Sequence, residues 1–243
     1  TWLLAASREA LSDLRAETGA RAGVFVGMGC DPEVARYGAR WRLADWADAW
    51  GEHDEAWRRA AAEAFTPVLE PAGVLGTMPN VPANRLNVQF DLGGMGFAVS
   101  AEELSGVRAL QIAARALALG ELDVALVGAA DFSCEPVHKA ALAALEGAVE
   151  PGDGAVVLAL ERVEDARRNG DPVLAILGGP DDGAVEPAVE ELEARFGRAH
   201  AAFGLIRVAA AALSCARGRH AGGAPWTGPR AARLEIDALG GER

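Results

Sequence analysis

Few of the 243 residues can do chemistry, and their spacing limits which kinds are open. Glu103 stands where a short apolar run, Phe97-Ala98-Val99, gives way to a helical pattern beginning near Ser100. The unpaired N–H groups and positive end of a helix welcome a carboxylate there, but a carboxylate cannot carry an acyl group reversibly as a thiolate can. His200 precedes an apolar run, where a histidine caps a helix, is buried, or works on protons. His138 and His220 have no evident partner in the sequence. In His53-Asp54-Glu55 the side chains diverge when the stretch is helical, which fits a solvated face better than a metal site. Gly27-Met28-Gly29 follows a strand-like run, but the third glycine of a dinucleotide fingerprint would fall on Pro32, so a turn is the better reading.

Composition narrows the classes further. A hydrophobic fraction of 51% with 24% charged residues is that of a chain that buries a core. The net charge of −12 argues against nucleic acid as a partner, because phosphate recognition needs clustered Lys and Arg. Cys30, Cys134 and Cys215 show no Cys-x-x-Cys spacing and are odd in number. With no signal peptide in view, a reducing cytoplasmic setting is expected, the cysteines serving as small apolar residues. Charged residues interrupt every apolar run, so no membrane span is expected. A first residue that is not Met leads us to expect a piece of a longer protein.

The elements that must position these residues follow from periodicity. Residues 2–16 predict an amphipathic helix and 21–27 a buried strand. Between Arg36 and Ala62 a helical stretch carries Trp41, Trp46, Trp50 and Trp57, which either cover the core or form a docking surface. Alternation predicts a strand at 86–92 and a short one at 96–101. A nearly all-apolar helix follows at 102–119, within which Arg108 and Arg115 share a face. Strands are predicted at 123–128, 155–160, 172–177 and 232–239, and helices near 137–145 and at 161–169, 185–196 and 201–216. Strands alternating with helices imply a layered α/β architecture, with 178–187 as the best hinge.

Several ordered segments resemble the β-ketoacyl synthases. GARAGVFVGMG is similar to that family's early strand and turn, and GTMPNVPANRLNVQFDLGGMGFAVSAEE to its approach to the active site. ELDVALVGAAD, EPGDGAVVLALERVEDARRNGDPVLAILGG, FGLIRVAAAAL and APWTGPRAARLEIDALGG resemble later segments in the same order. In the family a threonine-alanine-cysteine-serine-serine pattern opens a buried helix; matched from Val99 onward, the cysteine position falls on Glu103. No His-Gly-Thr-Gly-Thr segment is present, and Asn-Ile-Gly-His has only an echo in Gly197-Arg198-Ala199-His200, which makes His200 a candidate remnant of the second catalytic histidine.

The resemblance implies a thiolase-like, layered αβαβα fold. Residues 1–177 would form a ketosynthase-like first half and 178–243 an abbreviated second half of one compact domain. It is closest in look to chain length factors, the catalytically inactive relatives that pair with a ketosynthase, and among them to those of bacterial polyunsaturated fatty acid synthases. The implied role is a heterodimer partner that shapes the acyl tunnel, with Met78, Val81, Asn84, Arg85 and Val88 as tunnel or interface candidates. The acyl carrier protein would be met only indirectly, and neither cofactor, metal nor independent catalysis is implied. A malonyl-carrier-protein decarboxylase, built on a ketosynthase site that has lost its cysteine, is the alternative. A homodimeric scaffold is the third possibility.

Overall fold

Six consecutive buried residues, Ala22–Gly27, form the central strand β1 of the computed structural model. The structure describes residues 1–16, 19, 21–145, 149–178, 189–220, 222–228 and 230–236, the side chains of 189 and 190 excepted. By its contacts the chain divides into two units, residues 1–29 with 82–243, and residues 30–81.

In the larger unit β1 pairs in parallel with β2 (Gly96–Val99) on one side and with β3 (Val124–Phe132) on the other, and β3 pairs antiparallel with β4 (Asp153–Glu161). The sheet order is β2-β1-β3-β4. A strand buried on both faces reads as a continuous apolar run, and β1 and β3 do. Side chains alternate across the sheet, so Phe25, Ala125 and Val127 enter one apolar cluster while Val24, Val26, Val124 and Leu126 enter the other.

The helices of this unit are α1 (Trp2–Ser12), α5 (Val81–Phe90), α6 (Ser105–Ala118), α7 (Pro136–Ala143), α8 (Val163–Asn169), α9 (Val189–Phe196) and α10 (His200–Arg217). Helices α6 and α10 cover the Phe25 face, through Ala109, Leu110, Ala113, Leu117 and Leu205. Helices α1 and α5 cover the other, through Leu3, Ala83 and Leu86. The expected layered α/β arrangement is thus present.

The smaller unit is helical: α2 (Glu33–Trp50), α3 (Glu55–Phe65) and α4 (Pro71–Thr77). Gly51, at φ 74°, ends α2 in the left-handed conformation that glycine tolerates. The Asp54 carboxylate caps α3 by accepting from Ala56 N–H at 2.8 Å. Arg58 ties the two helices by donating to Asp48 at 2.6 Å, and His53, Asp54 and Glu55 are exposed, as expected of a solvated face. The tryptophans do not cover a core: Trp41 is 79% exposed and Trp50 66%.

Three expected strands differ. Residues 86–92 are not a strand; 81–90 form helix α5, because Ala83 and Leu86, three apart, bury one side of a helix while Asn84, Arg85, Val88 and Gln89 face outward. Residues 172–177 are apolar but in no strand, with Val173, Leu174, Ile176 and Leu177 about half exposed. A β-branched run acquires strand geometry only where a neighbour bonds its backbone, and no described strand lies beside it. Residues 232–236 join no strand of the sheet, and the rest of that expected strand, with the 179–187 hinge, lies outside the described residues. Helix α6 is also less enclosed than its composition suggests, since Arg108, Gln111 and Arg115 lie on an exposed side where Arg108 donates to Gln111 at 2.9 Å.

Candidate functional site

The start of α6 is held against the sheet by two glycines. A Cβ on Gly27 would lie 2.4 Å from the Gly106 nitrogen, and one on Gly106 would lie 2.9 Å from Leu205 Cβ and 3.0 Å from Ala129 Cβ. Close approach of β1, α6 and α10 therefore needs glycine at both places. The turn before α6 is a single 3-10 turn, Glu102–Leu104. The Ser105 hydroxyl, fully buried, accepts from Ala101 N–H at 2.9 Å and donates to the Glu102 carbonyl at 2.5 Å. Glu102 adopts a φ of 47°, a left-handed conformation uncommon for a residue other than glycine.

This geometry turns the two glutamates in different directions. Glu103 is 3% exposed, and its carboxylate meets the guanidinium of Arg198 at 2.8 Å. Glu102 reaches outward, and its carboxylate lies 3.0 Å from Nε2 of His200. His200, at φ 25°, opens α10. The two contacts form consecutive rungs between the start of α6 and the start of α10.

Arg198 is fixed from behind. Its N–H donates to the Glu150 carbonyl at 2.9 Å and its carbonyl accepts from Gly152 N–H at 3.1 Å, within an isolated bridge between Pro151 and Arg198. Its guanidinium lies 5.0 Å from the centre of the Phe203 ring, and the carboxylate of Glu193, on α9, stands 3.9 Å from it.

Beside the outer rung, the rings of His138, on α7, and His200 meet edge-on with centres 5.0 Å apart. Burial, reinforced by the nearby charge of His200, pushes the His138 pKa below its ordinary value, against the pull of Asp131, Glu103 and Glu102. Asp131 accepts from the Ser133 hydroxyl at 2.6 Å and from Ala201 N–H at 3.4 Å. Among the described residues no group of His, Cys, Asp and Glu could hold a metal ion.

The sequence-selected residues are thus partly brought together. Glu103 and His200 share the site, but His200 belongs to Glu102, and the partner of Glu103 is Arg198, which sequence reasoning passed over. A signal was present: when Gly197 is taken as the glycine of Asn-Ile-Gly-His, the next residue is Arg198. Val81, Asn84, Arg85 and Val88 fall at helical spacing on one side of α5, away from buried Ala83 and Leu86, and Val88 is 85% exposed. Met78 precedes that helix and is 39% exposed.

The family model for the β-ketoacyl synthase N-terminal domain matches residues 1–166. The chain belongs to the β-ketoacyl synthase family. Among curated relatives, this ketosynthase-family chain is 29% identical over 196 residues to the spectinabilin polyketide synthase system protein NorA of Streptomyces orinoci, covering 73% of this chain and 9% of that protein. It is 32% identical over 126 residues to the phthioceranic/hydroxyphthioceranic acid synthase of Mycobacterium tuberculosis H37Rv, covering 45% of this chain and 6% of that protein. The chain therefore spans less than a tenth of the length of these relatives. Among solved structures, the ishigamide ketosynthase/chain length factor superposes with a TM-score of 0.62 at 16% identity, over 95% of this chain and 73% of that one. The fold is the thiolase-like ketosynthase fold.

Proposed function

We propose that this ketosynthase-family chain is a catalytically silent, chain length factor-like partner of an active ketosynthase, shaping the acyl tunnel in polyketide or polyunsaturated fatty acid synthesis. One observation carries the reading: the ion pair of buried Glu103 with half-buried Arg198. Glu103 stands at the position of the family's cysteine, and Arg198 follows the glycine that precedes the family's histidine. A nucleophile and its base are thereby replaced by two groups that neutralise each other. A carboxylate cannot form a reversible thioester link, and it opposes the oxyanion that a tetrahedral intermediate develops. The likeness to a ketosynthase/chain length factor structure fits this reading at the level of fold.

The proposed partner surface includes the exposed side of α5. Val81, Asn84, Arg85 and Val88 line it, with Met78 just ahead in sequence, and their bulk would set how many methylenes the tunnel accepts, each worth about 0.8 kcal/mol when buried. The net charge of −12 disfavours direct docking of an acidic carrier protein, which would be received by the ketosynthase instead. All three cysteines are free, which fits a reducing cytoplasmic setting, and among the described residues no helix is long and apolar enough to cross a membrane.

The test is co-purification with the cognate ketosynthase followed by a condensation assay. Glu103→Gln and Glu103→Ala should leave condensation running in the intact complex, whereas Val81→Phe should shorten the product. Loss of condensation from a complex that remains assembled with either Glu103 variant overturns the silent-site reading.

A second reading, a malonyl-carrier-protein decarboxylase, has one observation in its favour. His138 and His200 lie together beside the site, and paired histidines can stabilise an enolate. The carboxylate of Glu103 counts against it. Release of carbon dioxide from malonyl-loaded carrier by this chain alone would favour the second reading.

A further inference from the structure

The Glu103–Arg198 pair needs Arg198 to point inward, and Phe203 is placed to make it do so. The Arg198 backbone is pinned at Glu150 and Gly152, which fixes where the side chain starts but not where the guanidinium ends. Phe203, 4% exposed, lies one turn into α10, and the guanidinium carbon of Arg198 sits 5.0 Å from its ring centre. A second guanidinium, that of Arg207, lies 5.7 Å from the same ring. Arg207 is 6% exposed and donates to the Glu235 carbonyl at 2.8 Å. A cation within about 6 Å of a ring centre is attracted by the negative face, more strongly when desolvated. The ring therefore offers Arg198 an attractive floor, while Arg207 holds residue 235 at the edge of the same cluster.

We propose that Phe203 is a positioning residue for the ion pair: its ring, within reach of both Arg198 and Arg207, holds the Arg198 guanidinium against the Glu103 carboxylate. The proposal deepens the silent-site reading and rests on it for its meaning. Its test reads the ion pair alone, so condensation may persist while this inference fails, or the reverse.

Removing the ring with only a small loss of volume, and comparing pH values, separates positioning from packing. In Phe203→Leu the guanidinium loses its floor and leaves a buried carboxylate less well neutralised. A buried charge with less compensation is costly, so the penalty falls where carboxylates are ionised and is relieved in acid. The other charged or titratable groups around the carboxylate are Glu102 beside it, Glu193 on α9, His200 on α10, His138 on α7 and Asp131 on β3. To separate the carboxylate from these neighbours, the same comparison is made in a Glu103→Gln background, where only the carboxylate in question is gone.

The experiment is thermal unfolding of the chain at about pH 5 and pH 8. The melting-temperature deficit of Phe203→Leu should widen by roughly 3–6 °C between the two, on the scale expected for a domain of this size. It should not widen in the Glu103→Gln background, and Phe203→Tyr, which keeps the ring, should restore the parental profile. A deficit equal at both pH values, or one that widens equally in the Gln background, overturns the proposal. If Phe203→Leu does not fold, Phe203→Met carries the same expectation. Failure of both to fold, unrelieved by Glu103→Gln, likewise overturns it.

Discussion

At the scale of single residues, burial pushes some carboxylates toward the neutral form while arginine partners hold others charged. Glu161, near the end of β4, is the clearest neutral case. Burial first, and then its hydrogen bond and proximity to Asp171, push its pKa up to about 7. Asp171 is itself buried and accepts from Arg15 N–H at 2.5 Å, so it is not free to turn away. The sign follows from linkage: the folded pKa exceeds the unfolded value of 4.5, so the stabilising proton is fully present below that value and is lost as pH rises through about 7. Glu161→Gln should therefore raise the midpoint of urea unfolding at pH 8 and leave it nearly unchanged at pH 4, provided the chain remains folded at both. Asp123 shows the opposite case, its pKa held down to about 2 by hydrogen bonds from Arg21 and then Arg162, helped by their charges. Glu103 could be singled out from sequence because that needed only register within a motif. Its partner could not, because Arg198 lies 95 residues away and only the packing of α10 on α6 brings the two together.

At the scale of elements, the start of α6 is held by contacts that leave no room. Gly106 sits among Leu205, Ala129 and the Ala201 carbonyl, all within 3.1 Å of a built Cβ. Gly106→Ala should therefore destabilise the chain by about 1–3 kcal/mol despite the gain in helix propensity, because overpacking outweighs it. Chemical denaturation, read by far-ultraviolet circular dichroism, measures this. Elements with one strong signal were readable: β1, β3 and β4 are apolar runs of strand length, and α10 is an apolar run ending at Gly218, φ 62°. Elements with two competing signals were not. LNVQFDL alternates as a strand would, yet the burial of Ala83 and Leu86 decides for a helix. PVLAIL has strand composition, yet strand geometry depends on a neighbour that its own residues do not specify.

At the scale of the whole molecule, the exposed tryptophans are the feature that departs most from a pattern of buried aromatic rings. Trp2, Trp41, Trp46, Trp50 and Trp57 are each at least 36% exposed, and Trp46 and Trp50 lie with ring centres 6.4 Å apart. The native fluorescence of the isolated chain should consequently be red-shifted and readily quenched by acrylamide. A blue emission resistant to quenching would show that these rings are covered. Sequence spacing could not separate core from surface here, because tryptophans at near-helical intervals satisfy both patterns and the answer depends on which face the rest of the unit occupies.

On the silent-site proposal, the Glu103–Arg198 pair also has an evolutionary consequence. Placing a cysteine at position 103 or a histidine at 198 separately removes one partner of this pair, and breaking a buried pair costs up to about 3–5 kcal/mol, a large share of the 5–15 kcal/mol that holds a typical domain together. A lineage that has acquired both changes cannot regain the ancestral chemistry one codon at a time without crossing an unstable intermediate. The lock works as a ratchet, preserving the silent form by the same stability that preserves the fold.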